Sequence, residues 1–92
     1  MSSVPAKNTL HRIFCANLRQ LRDLSGMTQV QVAEIMGVSQ PAYSSLEGGR
    51  NCPSLDTVED AAKAFQTTAP LLLTPGAFDP KKNIRRAIVA RG

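Results

Sequence analysis

Two helix starts in quick succession, with a glycine between them, constrain this chain more than any other feature. They lie in residues 28–50, TQVQVAEIMGVSQPAYSSLEGGR. Thr28 is placed to accept a bond from a free N–H of the first turn, and Gln31 is placed to reach back to the N–H of Thr28, which together make a capping box. Val32, Ala33 and Met36 follow on one face at helical spacing. Gly37 stands where a helix that stops sharply needs a left-handed residue. Val38 is expected to plug the corner. Ser39 then caps a second helix, and Pro41 falls in its first turn, where no intrahelical N–H bond is lost. Tyr43 and Leu46 turn back inward. The stretch predicts two short helices joined by a tight turn.

The surrounding chain reads as a single small all-α domain. Residues 1–7 form a lead-in. Asn8 or Thr9 caps a first helix to about Leu24, with Leu10, Phe14, Leu18 and Leu21 on one face, widened by Ile13 and Leu24. Ser25 and Gly26 end it. Asn51-Cys52-Pro53 is a loop, and Ser54 caps a further helix with Leu55, Val58, Ala62 and Phe65 inward. Asp56, Glu59, Asp60 and Lys63 face outward, and Asp56 complements the positive end of that helix. Leu71 to Leu73 form at most a helical turn between Pro70 and Pro75, and Thr74-Pro75-Gly76 is a turn. Asp79-Pro80 starts a last basic helix with Ile84, Ala87 and Ile88 on one face. The expected division is thus a lead-in at 1–7, a domain at 8–74 and a basic C-terminal extension at 75–92.

The net charge is +4 over 92 residues, yet its placement is uneven. Lys7, Arg12, Arg19, Arg22, Arg50 and Lys63 are balanced by Asp23, Glu34, Glu47, Asp56, Glu59 and Asp60. The whole excess comes from Lys81, Lys82, Arg85, Arg86 and Arg91 against Asp79. Charge alone therefore points to the tail as the anion-seeking part. The start of the chain has no apolar stretch of the kind that directs secretion, and no run is long enough to cross a bilayer, so a cytoplasmic location without a membrane partner is expected. Cys15 and Cys52 make no metal-binding pair of their own, and two reduced thiols are the expectation. His11 and Cys15 have the spacing of two ligands on a helix, but a closed metal site needs about four, so neither metal nor cofactor is expected. One histidine, no nucleophile–base arrangement and no glycine-rich phosphate loop argue against an enzyme.

The pattern T-Q-x-x-V-A-x-x-M-G-V-S-Q-x-x-Y-S-x-L-E-x-G-R resembles the helix-turn-helix of the phage repressor and Cro (XRE-like) family. Ala33 matches the position where the two helices cross closely, Gly37 the turn glycine, and Tyr43 and Leu46 the inward positions of the recognition helix. The resemblance extends more weakly from about Asn8 to Phe65. It implies a compact, lambda-repressor-like bundle of about five short helices, with the basic extension added after it.

It also implies double-stranded DNA as partner. A helix entering the major groove would present Gln40 first, since an amide that donates and accepts together matches adenine. Pro41 and Ser45 would take the other base-facing places, with Ala42 adding apolar contact. Gln29, Ser44, Arg50 and Asn51 would hold phosphates. Arg22 would pair with Glu47 and could also face a phosphate. A homodimer on an inverted repeat is the expected assembly, because one such helix reads too few base pairs. Leu71, Leu72, Leu73, Phe78, Ile84 and Ile88 are the candidate dimerisation residues, with a core role equally open for the leucine triplet. The function implied is that of a sequence-specific transcriptional regulator, a repressor or autoregulator. Phage repressor, restriction-modification controller and antitoxin stay open within it. A protein-interaction module binding another regulator through the C-terminal segment is the alternative.

Overall fold

The computed structural model describes residues 9–79. Five helices follow in order: α1 (Thr9–Ser25), α2 (Gln29–Met36), α3 (Gln40–Glu47), α4 (Leu55–Ala64) and α5 (Ala69–Leu72). No strand occurs among the described residues. The lead-in, Ile84, Ile88 and the basic helix expected after Asp79 lie outside them.

Local chemistry sets where each helix begins. Thr28 Oγ1 accepts from the Gln31 N–H at 3.1 Å, and the Gln31 side chain accepts from the Thr28 N–H at 2.9 Å. Ser39, Ser54 and Thr68 each accept from the amide three residues on. Each such bond satisfies a donor that the first helical turn leaves orphaned. α5 begins earlier than the sequence predicts, because Thr68 caps it and Pro70 sits in its first turn. At that position the missing N–H costs nothing, so the proline opens the helix instead of bounding it.

The ends of α2 and α4 share one device. The Val38 N–H donates to Ala33 O at 3.0 Å and the Gly37 N–H to Glu34 O at 3.1 Å, with Gly37 at φ +76°. These paired bonds close the last turn as a Schellman motif. The same pairing follows α4, but there the left-handed residue is Gln66, at φ +57°. A side chain in that region costs about 1–2 kcal/mol, part of which glycine returns through its greater freedom when unfolded. Gln66→Gly is therefore expected to raise the unfolding free energy by about 0.5–1 kcal/mol. A urea titration showing a loss would mean that the Gln66 side chain contributes something else.

Phe14, Leu18 and Leu21 from α1, Val32 and Ala33 from α2, and Tyr43 and Leu46 from α3 form one core with Val58, Ala61, Ala62 and Leu72. α1 packs on α3 and α5, and α4 packs on α2 and α5. Four inward assignments are corrected. The buried stripe of α1 starts at His11, not at Leu10, which is 55% exposed, and Leu24 is exposed at the other end. Leu55 is 80% exposed, because it is the first residue of α4 and precedes the turn that meets the core. Val38 lies on the rim of the corner instead of filling it. Packing runs on past residue 74: Ala77 is buried and Phe78 lies against the core.

Candidate nucleic-acid interface

α3 shows two faces. Tyr43, Leu46 and Glu47 are buried, while Pro41 and Ala42 are exposed and Gln40, Ser44 and Ser45 are half-exposed. At a turn of 3.6 residues, Pro41 and Ser45 lie at the middle of the outward face and Gln40 at its edge. Ser39 caps the helix through its bond to the Ala42 N–H, leaving the leading end open to solvent.

The inward face carries a charge. Glu47 is 3% exposed, and a carboxylate so placed must fill its acceptor sites. Arg22 meets it with two bonds, Nε to Oε2 at 2.6 Å and Nη2 to Oε1 at 3.2 Å. Tyr43 Oη donates to Oε2 at 2.8 Å and Gln29 Nε2 to Oε1 at 3.0 Å. Burial alone would push the Glu47 carboxyl up, but the hydrogen bonds from Arg22, Tyr43 and Gln29 outweigh it and hold the carboxyl below its ordinary range. The Tyr43 hydroxyl is pushed far up, first by burial and then by its bond to this carboxylate.

Gln29, at the first position of α2, continues the network: Gln40 Nε2 donates to its Oε1 at 2.8 Å. The edge of α3 is thereby tied to α2 and, through Glu47, to α1.

A helix-turn-helix family profile matches residues 18–72, which contain α2, the Gly37 turn and α3. The chain belongs to the XRE-type helix-turn-helix family. It is similar to the control protein C.SmaI of Serratia marcescens, with 34% identity over 71% of this chain and 77% of that protein. An uncharacterised HTH-type transcriptional regulator of Mycobacterium tuberculosis is 33% identical over 78% of this chain, which spans only 54% of that longer protein. The crystal structure of a hypothetical transcription factor from Neisseria superposes with a TM-score of 0.70 at 26% identity, covering 83% of each chain. A transcriptional regulator built on a helix-turn-helix DNA-binding domain is what these likenesses support.

In this helix-turn-helix the remaining site residues occupy distinct places. Arg50 and Asn51 are exposed just past α3. The Arg50 guanidinium lies over Gly48, where an added Cβ would stand 3.2 Å from Nη1, so the absent side chain leaves the guanidinium its place. Arg22 has two of its three nitrogens engaged by Glu47, and Nη1 also reaches Met27 O at 3.5 Å. One N–H on each of Nη1 and Nη2 is left beyond these bonds.

Of the candidate dimerisation residues, Leu72 is wholly buried within the monomer, and Leu73 and Phe78 pack partly against the core. Leu72 is thus a core residue, because the fifth helix closes the bundle over α1 and α4. Leu71 is half-buried and outside that cluster.

Arg19 and Asn17 had no functional reading from sequence, and His11 and Cys15 were weighed only as metal ligands. Arg19 donates to Glu47 O at 2.8 Å, placing a cation at the carbonyl end of α3. Asn17 Nδ2 reaches Leu71 O, Leu72 O and Thr74 O at 3.4, 2.8 and 3.0 Å, capping α5 from α1. His11 Nε2 donates to Asn51 O at 3.2 Å, and Cys15 Sγ to Leu46 O at 3.2 Å. The His11–Cys15 pair therefore fastens α1 to the segment leaving α3. The signal for Arg19 was present, since it stands three residues before Arg22 and shares its side of the helix.

Proposed function

We propose that this chain is a repressor or autoregulator that binds a short inverted repeat as a homodimer, with α3 in the major groove. One observation supports this reading above the others: Gln40 is braced at the leading edge of α3 by Gln29, while Pro41, Ala42 and Ser45 are turned outward. The Gln40 amide keeps Oε1 and one N–H for an adenine edge. Ser45 bonds either way and specifies weakly, and Pro41 and Ala42 offer only apolar contact, suited to a thymine methyl. The backbone would be held by the N-terminus of α2 at Gln29, together with Ser44, Arg50 and Asn51. The likeness to a control protein supports a regulatory role.

The test is a mobility shift on the DNA flanking the chain's own gene, searched for an inverted repeat, with the stoichiometry measured. Two chains per repeat are expected. Gln40→Ala should weaken the specific complex by about 1–3 kcal/mol and leave non-specific binding nearly unchanged. Arg50→Ala should weaken both alike and reduce the salt slope by about one. Unchanged specific binding in Gln40→Ala would remove Gln40 from the base-reading set.

A further inference from the structure

The polar chain running inward from Gln40 has a direction, and that direction follows from Glu47. A carboxylate in a bidentate pair with a guanidinium can only accept. Its Oε1 therefore draws the nitrogen end of the Gln29 amide, at 3.0 Å. With its nitrogen turned to Glu47, Gln29 must turn its oxygen to α3, and only the nitrogen end of the Gln40 amide can answer it, at 2.8 Å. What remains facing outward on Gln40 is its oxygen and one hydrogen of its nitrogen.

Resting on the reading that Gln40 contacts a base, we infer that Glu47 is a specificity-positioning residue: acting through Gln29, it fixes the amide polarity of Gln40 and so makes that position favour adenine over guanine. Adenine shows a donor at N6 beside an acceptor at N7, which an outward oxygen and N–H match together. Guanine shows two acceptors, O6 and N7, which the reversed amide would match with its two hydrogens. Without a directed partner the Gln40 amide turns freely and serves both purines. The buried acid, which never meets the DNA, thereby selects between them.

Three substitutions test this on a randomised duplex pool, with bound sequences read out and purine preference scored at each position. Gln40→Ala comes first. The base pair whose preference it erases is the one that Gln40 reads, and if it erases none, the base-reading assignment fails independently of the polarity argument.

At that base pair, Gln29→Met removes the link while leaving the Arg22–Glu47 pair in place. It should cut the adenine-over-guanine ratio by about tenfold, the size of one good bidentate contact. Gln29→Lys replaces the link with a group that only donates. It bonds Glu47 and the Gln40 oxygen, turns the Gln40 nitrogen outward and should shift the preference to guanine. Glu47→Gln should relax the ratio as Gln29→Met does. If it proves unfolded by circular dichroism, the two Gln29 variants decide. A loss of packing alone would weaken binding to all sequences without changing the ratio. An unchanged adenine preference in folded Gln29→Met and Gln29→Lys, at a position that Gln40→Ala erases, would overturn the inference.

Discussion

Glu47→Ala is expected to destabilise the fold by about 3–5 kcal/mol, the range for removing one partner of a buried ion pair, here the carboxylate that three side chains converge on. The substitution strips the Arg22 guanidinium of its counter-charge, the Tyr43 hydroxyl of its acceptor and the Gln29 amide of its partner. Glu34→Ala on the exposed side of α2 removes none of these and should stay within about 0.5 kcal/mol of wild type. In a domain of this size the first change corresponds to a fall in Tm of more than about 12 °C, measurable by thermal circular dichroism. Equal small losses for both would show that the pair carries no stability.

The same carboxylate sets a pH dependence. Its folded pKa lies below the ordinary value of 4.5, so the ionised form is favoured by folding. Its stabilisation is complete above that value and is lost as the pH falls through the folded pKa. Tyr43 works at the other end: its pKa is raised from 10.0, so its contribution declines as the pH rises past 10. Urea titrations between pH 2 and 7 should show an acid limb that Glu47→Ala flattens.

Leu72→Ala is expected to cost about 2–5 kcal/mol, the range for truncating a fully buried leucine. Leu72 has no exposed surface, and its backbone carbonyl takes the shortest of the Asn17 bonds. Leu71→Ala, half-exposed and outside the core cluster, should cost well under half as much. If the proposed homodimer uses this face, Leu71→Ala should alter the concentration dependence of association, seen by sedimentation, more than monomer stability. Similar unfolding free energies for the two variants would mean that α5 does not close the bundle.

Much of the fold was legible because local rules act over three or four residues. Thr28 with Gln31, Gly37, and Ser39 with Pro41 announce α2, the turn and α3 through hydrogen-bond geometry alone. Periodicity also marked Phe14, Leu18, Leu21 and Val58 as core. It failed at Leu10 and Leu55, where a helix begins before it reaches its neighbours, and only tertiary placement decides such positions. The ends of α5 escaped because a proline reads as a breaker unless the cap before it, Thr68, is weighed with it. The Arg22–Glu47 pair came from resemblance to a family, since two charges 25 residues apart carry no local signal. The roles of Asn17, Arg19 and the Tyr43 hydroxyl depend on which carbonyl or carboxylate the packing brings near, and no spacing rule reports that.

The division of α3 into a sealed side and an open one bears on how such a regulator changes over generations. Pro41, Ala42 and Ser45 add nothing to the sealed side, so on the proposed reading replacements there would retarget the protein to a new operator at little cost to folding. Gln40 is the exception. Its amide is bonded to Gln29, which in turn bonds the buried Glu47. On the proposed reading, drift at that position would disturb both the contact and the network behind it, and operators recognised by descendants of this chain should diverge last at the base pair it reads.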